Sequence, residues 1–211
     1  SKSPKTIPDS PAYGTSLLPF LASLIYEKQG SVRILDFGGN LGFAYVPVIN
    51  GMEDSGNLDY HVVEVQQICD MGTRIFADDH RVHFHTGLSS EIPGVDVIHV
   101  GSTLQYMEDW TALIGQLAGY HPQYFLFTDL QAGDIPTYAT AQNYYGSMIP
   151  CWFFNVHEIV DTMSNLGLSL IFKATHDVTI LGKQRGLPQD NFPEEYRVGH
   201  PCSLLFCRQD H

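Results

Sequence analysis

Apolar and polar residues along this chain follow two rhythms that take turns. Leu17, Leu18, Phe20, Leu21, Leu24 and Ile25 recur at intervals of three and four, which predicts a helix that stops at Gly30. VRILDF (32–37) then reads as a strand. FAYVPVIN has helical spacing, but Pro47 lacks a backbone donor, so this helix is expected to be short, kinked or late in starting. Further strands are predicted at 60–65, 82–88, 95–102, 123–130, 168–176 and 202–209. Helices are predicted at 66–77, at 109–120 behind an Asp109 cap, and at 156–167 ending on Gly167. The continuous apolar run VDVIHV suits a strand covered on both faces.

Strands alternate with helices through the first five, which is the signature of a doubly wound, mostly parallel α/β sheet. The last two strands have no helical pattern between them, only a loop (177–201) rich in Gly, Pro and charge. A seven-stranded sheet with an antiparallel last strand is therefore expected. The 211 residues read as one domain, with an extended segment at 1–14 and an aromatic insertion at 131–155. In such sheets ligands bind at the carboxyl ends of the strands, near the point where strand order reverses.

Charge narrows the partners. The net charge is −12, which repels phosphate backbones and argues against nucleic acid. No Lys or Arg occurs between Arg81 and Lys173, an interval that holds eight carboxylates. A pocket built there would accept a cationic ligand and help a phosphorylated one little, unless Lys183, Arg185 or Arg197 reached in from the late loop. No apolar run is long enough for a membrane span, and SKSPKTIPDSP has no apolar stretch of the kind a signal peptide needs. Cys69, Cys151, Cys202 and Cys207 match no zinc spacing and read as reduced thiols of a cytoplasmic protein.

The candidate chemistry centres on DFGGNLG (36–42). Gly38, Gly39 and Gly42 let the backbone turn sharply and bring N–H groups close to a ligand. A phosphate loop would need Gly-Lys-Ser/Thr, which is absent, and Asn40 breaks the dinucleotide pattern. Asp36 would also face a pyrophosphate with the wrong sign. Asp36 makes sense beside a cation such as S-adenosylmethionine, whose ammonium it could accept directly or through water. Glu64, ending the second strand, is placed to hold both ribose hydroxyls, as it could for NAD.

DFGGNLG, HVVEVQQICDMG, VDVIHVGSTLQYMEDW and IPCWFFN together resemble the class I S-adenosylmethionine-dependent methyltransferases. More narrowly they resemble a bacterial group often associated with surface-polysaccharide genes. The resemblance covers roughly 15–176 and implies the Rossmann-like methyltransferase fold. It implies that Asp36, Gly38, Gly39, Asn40 and Gly42 line the methionine end of the cofactor and that Glu64 takes the ribose. Gly87, Leu88 and Ser89 would approach the adenine, and Ser102, Thr103, Leu104 and Gln105 would close the reactive side. The wider class has glycine where Asn40 stands.

The segment YATAQNYYGSMIPCWFF reads either as a hydrophobic cluster under a loop or as an aromatic lid over the acceptor. In the second reading Tyr144, Tyr145 and Trp152 contact the substrate. A base for a hydroxyl acceptor could be Asp129, Asp134, His157 or His176, with Asp129 and His157 preferred. His83 and His85 share a strand face, but no third ligand is identifiable and no metal is expected. His99 reads as a hydrogen-bonded core histidine. The function expected is methyl transfer to a small-molecule or glycan-like acceptor, at oxygen. A non-catalytic binding or scaffold module and a nucleotide-sugar or dinucleotide enzyme are the alternatives.

Overall fold

The computed structural model describes residues 17–144, 146–180 and 183–209. The expected segment 1–14 and Tyr145 lie outside them. The chain opens with α1 (Leu17–Gln29), β1 (Val32–Phe37), α2 (Tyr45–Gly51), β2 (Leu58–Val63), α3 (Gln66–Ile75) and β3 (Val82–His85). It continues with β4 (Val97–Gly101), a tight 3-10 turn at Leu104–Tyr106, α4 (Trp110–Ala118) and β5 (Tyr124–Leu130). Then come β6 (Ala132–Gly133), β7 (Tyr138–Tyr144), β8 (Ser147–Asn155) and α5 (Val156–Asn165). The last part holds β9 (Leu168–Thr175), β10 (Val178–Ile180), β11 (Lys183–Arg185), a 3-10 turn at Glu194–Tyr196 and β12 (Cys202–Arg208).

Seven strands form the main sheet in the order β3-β2-β1-β4-β5-β12-β9. The first five are parallel, and β12 runs antiparallel to both β5 and β9. Strand order reverses between β1 and β4, so the crevice falls where DFGGNLG leaves the sheet. Two packed layers enclose the sheet. One gathers Leu35, Ile98, Ile114, Phe125, Phe127 and Phe206, and the other Leu18, Ile25, Ile34, Tyr45, Tyr60 and Leu126. Phe125 and Phe127 face one layer and Leu126 the other, the two-residue period of a strand covered on both sides.

Local signals explain the boundaries. Gly30 takes φ +75° as α1 ends, and its N–H bonds to the carbonyl of Tyr26 at 2.7 Å. α2 starts late, as expected, which puts Pro47 in its first turn, where a missing N–H costs nothing. Asp109 caps α4 by accepting from the Ala112 N–H at 3.2 Å. The insertion at 131–155 is more regular than its composition suggests, because β7 and β8 pair as an antiparallel hairpin. The loop at 177–201 likewise contains a small β10–β11 hairpin. Both were missed because their strands are short or half exposed, which weakens the apolar alternation.

Candidate active site

Two adjoining cavities open at the carboxyl ends of β1, β2, β4 and β5, and both are lined by Gly38, Glu64 and Thr103. The first, about 640 Å³, is walled by Phe37, Val63, Val65, Leu88, Met107 and Leu113. The second, about 520 Å³, is more polar and meets Asp36, Asn40, Ser102, Thr128, Asp129 and Tyr144. Among the described lining residues there is no Lys or Arg in the second cavity.

The turn between β1 and α2 is built to be tight. Gly38 has φ +70°, and its N–H bonds to the carbonyl of Val63 at 2.9 Å. A Cβ on Gly38 would lie 2.2 Å from Thr103 Oγ1, and one on Gly39 2.4 Å from Asp36 Oδ2. Asn40 takes φ +52° and accepts the Leu41 N–H on its own Oδ1 at 2.8 Å. That left-handed conformation is why glycine or asparagine suits this position. Glu64 holds the turn from the neighbouring strand: Oε1 accepts from the Asn40 N–H at 3.2 Å and Oε2 from the Val65 N–H at 2.9 Å.

Asp36 sits beneath the turn rather than on its surface. It is 1% exposed, and it accepts from Tyr60 Oη at 2.8 Å and from His99 Nδ1 at 2.7 Å. His99 Nε2 continues to Thr128 Oγ1 at 2.9 Å. Burial, and then Asp36 itself, push the Tyr60 hydroxyl well above its ordinary range, so Tyr60 stays a donor. Asp36 thus lines the second cavity from below while a buried network ties it to three neighbouring strands, through Tyr60 of β2, His99 of β4 and, beyond His99, Thr128 of β5. The hydrogen-bonded core role expected of His99 is what the structure shows.

Backbone strain gathers at this site. Asn40, Ser102 and Asp129 have φ of +52°, +51° and +52°, and all three line the second cavity from the ends of β1, β4 and β5. Such conformations cost about 1–3 kcal/mol each and cluster where surrounding structure enforces them for function. Asp129 is held at Oδ1 by His176 Nε2 at 2.5 Å, which joins two of the four base candidates.

The remaining expected residues divide. Gly87 and Leu88 line the first cavity, whereas Ser89 instead accepts from the Glu91 N–H with its hydroxyl. Ser102 and Thr103 face the cleft, while Leu104 and Gln105 are buried behind it. Tyr144 lines the second cavity. Trp152 is partly buried and packs against the main core from the base of the hairpin. Tyr138 and Phe153 stack at 5.1 Å in a small separate hydrophobic cluster at the base of the hairpin. His157 is 72% exposed on the first turn of α5, 3.9 Å from Asp134, and lies on neither cavity. Phe43, Tyr106, Met107 and Leu113 line the cleft without having been expected. Tyr106 and Met107 directly follow STLQ and could have been found by extending that segment along its turn.

His83 and His85 stand apart, near the outer strand. His61 Nδ1 lies 3.0 Å from His85 Nε2, and Asp59 Oδ1 lies 3.3 Å from His83 Nε2. Among the described residues no group of three or more His, Cys, Asp or Glu side chains could hold a metal ion. Burial pushes the thiols of Cys151 and Cys202 up to about 11, which leaves them inert as nucleophiles. No helix among the described residues is long and apolar enough to cross a membrane.

The fold is shared with solved structures. A 1,6-didemethyltoxoflavin-N1-methyltransferase from Burkholderia thailandensis, with bound S-adenosylhomocysteine, superposes with a TM-score of 0.62 at 12% identity. The match covers 94% of this chain and 79% of that one. The chain has the class I methyltransferase fold. Magnesium protoporphyrin IX methyltransferase from Synechocystis PCC 6803, also with bound S-adenosylhomocysteine, gives 0.60 at 10% identity, covering 92% and 81%. An O-methyltransferase of neocarzinostatin biosynthesis gives 0.54 at 13% identity, covering 92% of this chain and 56% of its own. No protein-family model matches the sequence, and no curated protein does. In this methyltransferase fold the strand ends that carry Gly38, Glu64 and Asp129 are the ends that face the crevice.

Proposed function

We propose that the protein is an S-adenosylmethionine-dependent methyltransferase that acts at oxygen on a small-molecule or glycan-like acceptor in the cytoplasm. The observation that carries this reading is the two-part cleft hinged on Gly38, Glu64 and Thr103, with an apolar side and a polar side. The apolar walls from Leu88, Met107 and Leu113 suit a flat base, with Gly87 at its edge. Glu64 stands at the junction, where ribose hydroxyls would donate to it. The Gly38–Gly42 turn, with room for no side chain at Gly38 or Gly39, would take the carboxylate end over the braced Asp36. Bound neighbours of the same fold hold S-adenosylhomocysteine, which supports the choice of cofactor.

The cofactor supplies a methyl group on a positively charged sulfur. The chain's own residues then hold an acceptor hydroxyl in line with that methyl, with Tyr144 closing the mouth. The acceptor oxygen would take that methyl from bound S-adenosylmethionine, S-adenosylhomocysteine would leave, and the hydroxyl proton would pass to Asp129 or to water beside it. Holding the partners and excluding water is the larger share of the rate, up to about 7–11 kcal/mol in favourable cases. The glycan-like end of the acceptor range rests on the resemblance to surface-polysaccharide-associated proteins. The oxygen reading is supported by the O-methyltransferase of the same fold.

Calorimetry tests the cofactor. S-adenosylhomocysteine should bind and NAD should not, and Glu64→Ala should weaken the binding at least about tenfold, the loss of one or two charge-assisted hydrogen bonds. Binding of NAD in place of S-adenosylhomocysteine, or an unchanged affinity in Glu64→Ala, would overturn the assignment.

A further inference from the structure

The second cavity has a far wall that the cofactor reading leaves unused. Its acid, Asp129, ends β5, while Glu64 ends β2 three strands away, which is about 14 Å at ordinary strand spacing. The same cavity is lined by the rings of Phe43, Tyr106 and Tyr144. All three rings are substantially exposed to the cleft or to solvent, with Phe43 at 68%. The Tyr106 hydroxyl is taken by Gln142 Oε1 at 3.2 Å, so this side chain offers its ring face. His176 holds Asp129 Oδ1, and among the described residues no hydrogen bond reaches Oδ2.

Among the described residues no Lys or Arg lines the cavity beside this acid. Arg197 donates to the carbonyls of Phe192 at 2.7 Å and Asp190 at 3.0 Å, which ties it to its own loop. Arg185 lies on β11 and does not line the cavity, and no other Lys or Arg does so among the described residues. A carboxylate with one oxygen that no described residue hydrogen-bonds, sharing its cavity with three aromatic rings and with no described Lys or Arg, attracts positive charge from two directions. It repels a phosphate or carboxylate equally well.

We propose that the acceptor is a ring-bearing molecule with a protonated amine, its cation against Asp129 Oδ2 and its ring between Tyr106, Tyr144 and Phe43. This deepens the methyltransferase reading and rests on it. The amine docks the acceptor; a hydroxyl on the same molecule receives the methyl and gives its proton to water, because the amine occupies the Asp129 oxygen that would otherwise receive it. His176 is a positioning residue, which turns Asp129 so that one oxygen faces inward.

Three matched probes test this: para-hydroxybenzylamine, para-hydroxybenzyl alcohol and para-hydroxybenzoate, which are cationic, neutral and anionic at neutral pH. Each is titrated by calorimetry or saturation-transfer NMR into protein loaded with S-adenosylhomocysteine. The amine should bind about tenfold more tightly than the benzoate, the combined effect of one partly screened ion pair and one ring contact. Asp129→Asn should erase the ranking. Asparagine tolerates φ near +52°, so this variant keeps the backbone. Tyr144→Ala should weaken all three probes together. Equal binding of the three, preference for the benzoate, no uptake of any, or a ranking that survives Asp129→Asn would each overturn the proposal. If wild-type protein fails to bind S-adenosylhomocysteine, the cofactor reading fails instead, and the same probes on the unloaded protein still decide the charge preference of the cavity.

Discussion

Gly38→Ala perturbs the point where the two cavities meet. The new methyl would sit 2.2 Å from Thr103 Oγ1, 2.4 Å from Cγ2 and 2.7 Å from Cβ. Rotating Thr103 does not relieve this, because its Cβ alone is already too near. Shifting it breaks the hydrogen bonds from Oγ1 to the carbonyls of Gly101, at 2.8 Å, and Gly38, at 3.3 Å. An alanine at φ +70° costs about 1–2 kcal/mol, and overpacking adds about 1–3 kcal/mol. The strained hydrogen bonds add about 1 kcal/mol, for a total near 4 kcal/mol. That is a large part of the stability of an ordinary domain. Urea unfolding followed by circular dichroism reads the loss, and calorimetry reads S-adenosylhomocysteine binding, which should vanish. Thr103→Gly removes all three clashing atoms, so the double variant should regain about 2 kcal/mol over the sum of the singles. A Gly38→Ala protein within about 0.5 kcal/mol of wild type, or strictly additive variants, would refute the account of this turn.

Asp36→Asn should destabilise by about 3 kcal/mol, since one of two buried donors, Tyr60 Oη or His99 Nδ1, loses its acceptor; the urea midpoint reports it. Asn40→Gly should unfold within about 0.5 kcal/mol of wild type, whereas Asn40→Val should cost about 2 kcal/mol at φ +52°. The His61–His83–His85 group predicts acid sensitivity. Burial lowers the pKa of His61 and, helped by the His83 ring, that of His85, while Asp59 opposes both shifts and Glu91 opposes the one at His85. A lowered folded pKa means the unfolded chain binds protons first, so stability is complete above about pH 6.5 and falls as pH drops below it. Replacing His61 and His85 by Gln should flatten the pH 7.5-to-5.5 change in urea midpoint; an unaltered slope would place the acid sensitivity elsewhere.

Local signals were enough for the frame of the molecule. The change of apolar period marks the strands and helices, and the helix stops at Gly30 and Gly167 are chemical punctuation. A glycine turn after an apolar strand identifies a cleft-facing loop because few other residues could make that turn. Glu64 was legible as an acid at a strand end for the same reason. All of these depend on neighbours within a few positions.

What only the tertiary structure decided are pairings between distant residues. Asp36 was visible, but its partners come from other strands: the parallel register sets His99 directly opposite it, and Tyr60 reaches it from β2. That register gives the acid at the cavity floor its buried brace. His176 meets Asp129 across 47 positions because β12 inserts between β5 and β9 and brings their ends to one edge of the cleft. Trp152 and Tyr144 look equivalent along the chain, yet one lies near the base of the β7–β8 hairpin and the other at its tip. Periodicity tells which side of a strand a residue occupies; which strand lies next to it depends on how the whole sheet closes its core.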